Sequence, residues 1–249
     1  MRRWLFGFPV FAVAFALAST VQAQEEVKAI IEKAIKAHGG AEKLDKLKMV
    51  QTKAKGTIEI GGGLSFTQES IINAAGKFKE VLNLEVMGQK IAITTVFNGE
   101  KGWLNANGTL KELQDKLLDE VKEAAYSIRV GRMTPLLTDK AYTLAPLGES
   151  KVNDRPAVGV RISSKGHRDI SLYFDKETGL LAKSESRRLD GQTMQEVDEE
   201  RIVIEYQDVD GQKTSKKVLV NRDGKKFMEA EVTEVKFLDK VDDSQFEKP

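Results

Sequence analysis

The chain has 249 residues, with 39 Lys and Arg against 38 Asp and Glu, two histidines and no cysteine. So even a charge balance offers no field for nucleic acid or anionic lipid. The missing cysteine excludes a thiolate nucleophile, a disulfide framework and a lipid-accepting cysteine at an export cleavage site.

Arg2 and Arg3 precede an almost wholly apolar run from Trp4 to Leu17, and Val21-Gln22-Ala23 follows. This order predicts a signal peptide over residues 1–23. The run is shorter than the roughly 20 residues that span a bilayer. Removing Arg2 and Arg3 leaves 37 basic against 38 acidic residues. The expected mature chain, residues 24–249, is one domain, exported, soluble and monomeric.

A helix is expected from near Glu25. Val27, Ile30, Ile31, Ala34 and Ile35 form one apolar stripe at helical spacing. His38 continues that stripe, and Gly39 falls where a helix needs a left-handed residue to stop. A phosphate-binding loop would place its glycines ahead of a helix and after a strand; here a helix feeds them. His38 therefore reads as structural. A short helix, Ala41 to Leu47, follows.

The period then changes to two. Val50, Thr52, Ala54, Gly56, Ile58 and Ile60 alternate with polar residues, the pattern of a strand with one wet face. Further strands are expected at Leu64–Asn73, Lys77–Val86, Lys90–Phe97, Ala157–Ser163, Asp169–Phe174, Leu180–Arg188, Arg201–Val209, Lys216–Asn221 and Lys226–Leu238. Asn98-Gly99, Asn107-Gly108, Asp190-Gly191, Asp210-Gly211 and Asp223-Gly224 are hairpin turns by composition, and Asp175 to Gly179 reads as a longer hairpin loop. Thr109 with Glu112 has capping-box spacing. Leu110, Leu113, Leu117, Val121, Ala124, Ala125 and Ile128 then predict one long helix, ending near Gly131. Met133 to Asp139 reads as irregular. The expected class is α+β: about ten antiparallel strands in one sheet large enough that it must curve, with helices laid against its concave face; the family resemblance described below implies that this curve is strong and the sheet open.

Enzyme chemistry is poorly supplied. His38 and His167 stand in no HExxH pattern, and no GxSxG elbow occurs. Ser163-Ser164-Lys165-Gly166-His167 reads as a polar turn, and Asp198-Glu199-Glu200 as a solvated acidic run without calcium-loop spacing. No catalytic residue, metal ligand or cofactor is assigned, and the protein is not expected to be an enzyme. What remains is the apolar face. Phe66, Phe78, Leu82, Leu84, Ile91, Ile93, Phe97 and Trp103, with Leu117 and Val121 from the long helix, form either a closed core or the walls of a pocket. The residues alone favour the core, because apolar strand faces are ordinarily buried.

Several stretches resemble a known family. They are "KAHGGAEKLDKLK" after the first helix, "VFNGEKGWLNANG" (Val96 to Gly108), "LYFDKETGLLAKSE" (Leu172 to Glu185) and the closing "DDSQFEKP". Together they resemble the periplasmic lipoprotein-sorting, LolA/LolB-like carriers. Trp103 after Asn98-Gly99 stands where that family has a DG…W hairpin. The resemblance implies an open half-barrel whose hollow shelters the acyl chains of lipids or lipoproteins. No binding residue of the family matches position by position. Two partners are thus expected as alternatives: a hydrophobic or acylated ligand such as a lipoprotein, held by a carrier; or an envelope protein, bound by a sensor or scaffold of the same fold.

Overall fold

Hairpin turns dictate the topology. In the computed structural model, which describes residues 11–240 and 242–249, Asn107 (φ 50°) and Gly108 (φ 86°) reverse the chain after one strand. Asp210 (φ 51°) and Gly211 (φ 74°), and Asp223 (φ 47°) and Gly224 (φ 72°), do the same later. Such left-handed pairs match the twist of flanking strands.

The elements are α1 (Phe11–Ala37), α2 (Ala41–Lys46), β1 (Met49–Ile58), β2 (Leu64–Asn73), β3 (Phe78–Val86), β4 (Gln89–Phe97), β5 (Gly102–Ala106), β6 (Thr109–Glu112), α3 (Asp115–Gly131) and α4 (Thr134–Thr138). They continue as β7 (Tyr142–Val152), β8 (Arg155–Ser164), β9 (Ile170–Asp175), β10 (Leu181–Leu189), β11 (Glu196–Val209), β12 (Gln212–Arg222), β13 (Lys225–Leu238) and a 3₁₀ turn, Asp243–Phe246. Among the described residues the strands form one 13-stranded antiparallel sheet, ordered β6-β5-β4-β3-β2-β1-β13-β12-β11-β10-β9-β8-β7. It is open, with β6 and β7 as its edges. Two meanders therefore meet at a central seam, β1 against β13.

Four expectations need correction. Thr109–Glu112 is strand β6, not a capping box, because the Asn107-Gly108 turn sends it back along β5. The helix begins at Asp115, behind Gln114. Residues 134–138 are helical, with Pro135 in the first turn, where its missing N–H costs nothing. Strand β7 was unexpected: Pro146 and Gly148 break its register at a bulge, so it shows no clean alternation. Finally, α1 runs without a break from Phe11, well before Glu25. The first ten residues of the expected signal peptide lie outside the described residues. Among the described residues no helix is long and apolar enough to cross a membrane.

The largest core cluster joins Val27, Ile31, Ala34 and Ile35 of α1 to Tyr126 and Val130 of α3, Leu136 of α4, and Val160, Ile162, Ile170, Leu172 and Phe174 of β8 and β9. The stripe read from the sequence is thus the face of α1 that lies on the sheet. At its end, Gly39 (φ 123°) and Gly40 (φ 90°) turn the chain, and Gly40 donates to the Ile35 carbonyl at 2.9 Å. His38 is buried and sits within 2.8 Å of the Ala34 carbonyl through Nδ1. Its Nε2 lies 3.3 Å from the Tyr206 hydroxyl. His38 ties the last turn of α1 to β11.

The hollow of the sheet as candidate site

Strand register fixes which side chains share the helix-covered face. Phe97 lies opposite Phe78, and Phe78 opposite Ile72, so these three share a face. The rings of Phe78 and Phe97 are 5.9 Å apart. Ala125, Leu118, Val121, Ala124 and Ile128 of α3 pack on them. Gly102, paired with Phe97, has no side chain because Leu113 and Val121 fill its place; a Cβ there would stand 3.1 Å from each.

Two residues farther along the strands the face turns polar. Thr95, Glu80, Ser70 and Thr52 are consecutive cross-strand partners, with the Thr52 and Ser70 hydroxyls 2.7 Å apart. Beyond them it is apolar again. Ile93 and Leu82 pair, as do Ile91 and Leu84, and Leu84 with Phe66. Phe66 lies over Gly56, where a Cβ would meet the ring at 2.9 Å. Ile58, Phe66 and Ala230 are buried here, with Leu64, Leu82, Leu84, Phe227 and Met228 half-buried against them. The rest of the cluster is Ile60, in the turn after β1, and among the described residues no helix side chain belongs to it.

The ten residues singled out from the sequence therefore separate. Phe78, Phe97 and Val121 form the closed contact under α3. Phe66, Leu82 and Leu84 belong to the cluster with Ile58 and Ala230, and Ile91 and Ile93 pair beside them, half-buried. Leu117 is 38% exposed on α3. Trp103 pairs with Val96, not Phe97, and so points to the opposite face. That face carries Lys79, which hydrogen-bonds Gln245 of the 3₁₀ turn at 3.4 Å. The closing "DDSQFEKP" thus packs a fully buried Phe246 onto the back of the sheet. Alternation alone did not show which parity faces inward.

Sequence reasoning also missed the charged part of the hollow. Ile202 is buried on the back of the sheet with Val152 and Ala157, so its neighbour Arg201 points inward. Arg201 is exposed to water, yet the protein around it desolvates its guanidinium and pulls its pKa down, against weaker upward pulls from Glu199 and Glu80. Glu80 is half-buried, and its pKa is raised by burial, against smaller opposing pulls from Gln68 and Arg201. Glu80 on β3 and Arg201 on β11 are five strands apart in the sheet order, about 24 Å along a flat sheet. They sense each other because the sheet curves round to bring the two strands face to face.

Helix α3 spans the mouth of this curve by ion pairs from Glu120 and a hydrogen bond between Glu123 and His167. Glu120 meets Arg168 at 2.6 Å and Arg188 at 3.5 Å, and Glu123 meets His167 at 2.8 Å. The His167 ring stacks on Tyr126 at 4.1 Å. The polar turn read as Ser163 to His167 is thus the dock for α3. Asp198-Glu199-Glu200 is likewise ion-paired rather than free: Glu199 with Arg222 at 3.0 Å, Glu200 with Lys183 at 3.2 Å, and Asp198 with Arg187 at 3.4 Å. Two cavities lie away from the Phe66 wall. One of about 300 Å³ sits between α1 and the β7–β10 turns; the other, about 390 Å³, sits between α3 and the Gly166–Arg168 turn.

No family model and no curated protein matches the chain. Solved structures do. A DUF1329-family protein from Desulfovibrio piger is 16% identical, with a TM-score of 0.54, covering 89% of this chain and 97% of that one. A LolA-superfamily protein from Nitrosomonas europaea is 9% identical, with a TM-score of 0.55 and the same coverage. A putative outer-membrane lipoprotein-sorting protein domain from Vibrio parahaemolyticus is 12% identical, with a TM-score of 0.53, covering 88% and 97%. The chain has the LolA-like fold: a curved, open half-barrel with helices in its concave face.

Proposed function

We propose that this protein is an exported, periplasmic carrier that shelters an acyl chain, lipid or lipoprotein in the hollow of its sheet. The observation that carries the reading is the apolar inner wall around Phe66, Leu84 and Ile93, against which no helix side chain packs among the described residues. Half-buried aliphatic side chains on a concave face gain about 25 cal/mol for each Å² that a ligand removes from water. The N-terminal order of basic, apolar and small residues supports export, with processing after Ala23. The similarity to a lipoprotein-sorting domain supports the ligand class through the fold alone.

A fluorescent fatty acid should bind saturably to the exported protein, and Ile93→Phe should displace it. N-terminal sequencing should start at Gln24. A parent protein that binds no probe would remove the physical basis of the carrier reading. A start at Met1 would remove that of export.

A further inference from the structure

The hollow is not uniformly apolar, and its charges are arranged unlike those at its mouth. At the mouth every acidic group on α3 that faces the sheet has a basic partner: Glu120 has Arg168 and Arg188, and Glu123 has His167. On the nearby wall Glu199 holds Arg222, and Arg222 also holds Asp190 at 3.2 Å. Arg201 differs. Among the described residues it forms no ion pair, although Glu80 faces it across the curve and Glu199 is two residues away on the same face. Glu80 is without an ion pair as well. Both stand beside apolar wall: Arg201 lies opposite Val220, and Val220 opposite Met228 of the Phe66 cluster.

A guanidinium that is always charged, partly desolvated and unpaired bears a cost that a bound anion relieves. Its planar fork suits carboxylate and phosphate oxygens, which it can hold through two parallel hydrogen bonds. The adjoining wall suits hydrocarbon. We infer that the hollow selects an amphiphile with an anionic oxygen headgroup, seated at Arg201 with its chain along Leu84 and Phe66, and that Glu80 opposes that headgroup. The inference deepens the carrier reading and rests on it. Carboxylate and phosphate heads share the chemistry, so both enter the test.

Displacement of a fluorescent fatty acid from the exported protein is measured with palmitate, lysophosphatidate, neutral monopalmitoylglycerol and inorganic phosphate. One or both anionic lipids should bind roughly tenfold or more tightly than the neutral one, the size expected for a charged hydrogen bond. Arg201→Gln should remove that difference by weakening the anionic lipids, and a melting curve like the parent's shows that the variant is folded. Arg201→Lys should keep part of the preference. Glu80→Gln should act in the opposite sense and enlarge it several-fold, by removing a like charge. Whichever anionic lipid shows the preference identifies the headgroup source.

Equal binding of neutral and anionic lipids, untouched by Arg201→Gln, would overturn the headgroup inference and leave the carrier reading standing. Competition by inorganic phosphate alone, at concentrations near those of the lipids, would make Arg201 a free-anion site and also overturn it. Weaker anionic binding in Glu80→Gln would do the same. If no lipid binds at all, the carrier reading fails first.

Discussion

The two arms of the sheet use the same side-chain chemistry and end in different states. In the β7–β10 arm, α1 and α4 lie on the inner face, and Ile31, Val160, Ile162 and Phe174 are all but completely buried. In the β1–β4 arm, among the described residues, α3 alone packs on the face, at the Phe78 end, and Leu82, Leu84, Ile91 and Ile93 farther along stay half-buried. An alternating strand thus encodes one apolar face. Whether that face becomes core or wall depends on which helix arrives to cover it.

Large-to-small substitutions should expose this difference most strongly. Ile31→Ala and Phe174→Ala should each cost about 2–5 kcal/mol, because they leave cavities in a closed core. Leu84→Ala should cost about 1 kcal/mol or less, since its side chain is still partly wet. Urea denaturation measures both, and equal costs in the two arms would erase the distinction. The reverse substitution sharpens it. Ile162→Phe should overfill its site at about 1–3 kcal/mol. Ile93→Phe should stay within about 0.5 kcal/mol, as at an open position, while weakening probe binding.

Smaller effects test the corner that holds α1 on the closed arm. Gly39→Val should destabilise by roughly 1 kcal/mol or more, because a β-branched residue resists positive φ. A Cβ there would also meet the Gly211 carbonyl at 2.9 Å. His38→Gln should have the smallest effect: ligand binding unchanged, and stability at pH 8 reduced by about 1 kcal/mol or less through one altered hydrogen bond. It should also flatten a pH dependence. Burial holds the His38 pKa below its ordinary 6.5, against a smaller upward pull from the Ala34 carbonyl. The folded protein therefore binds fewer protons here than the unfolded chain. The contribution is complete above pH 6.5 and is lost as pH falls below it toward the folded value. Melting curves between pH 8 and 5 should show a shallower decline in the variant; an unchanged slope would assign the dependence elsewhere.

Much of the fold was legible because turn chemistry and period are local. Asn-Gly and Asp-Gly pairs marked hairpins, and the Leu64–Asn73 strand runs between the limits its pattern gave. The readings that failed needed partners distant in sequence. Thr109 and Glu112 satisfy capping-box spacing, yet β5 claims their backbone. Strand β7 takes its pairing from β8 and has no pattern of its own. The candidate wall was legible as residue types, but not its inward parity, so Trp103 was assigned to the wrong face. Arg201 carried no signal at all: it is one charge in an alternating strand. Only the burial of Ile202 beside it, and the curvature that brings Glu80 near, reveal where it stands.

The β1–β13 seam has a consequence for how the chain reaches this shape. Every other strand pair joins neighbours in sequence, so each meander can zip up from its own turns. The seam instead pairs Met49 with Leu238, nearly the whole length of the domain apart. Loop-closure entropy makes such a contact slow to form. The two wings should therefore acquire their hairpins early and join last. Pulse-labelled hydrogen exchange during refolding would then show the β1 and β13 amides protected after those of β3–β4 and β8–β9. Since β13 is made after every other strand of this sheet, the seam cannot close, and the hollow cannot exist, until all the others have left the ribosome.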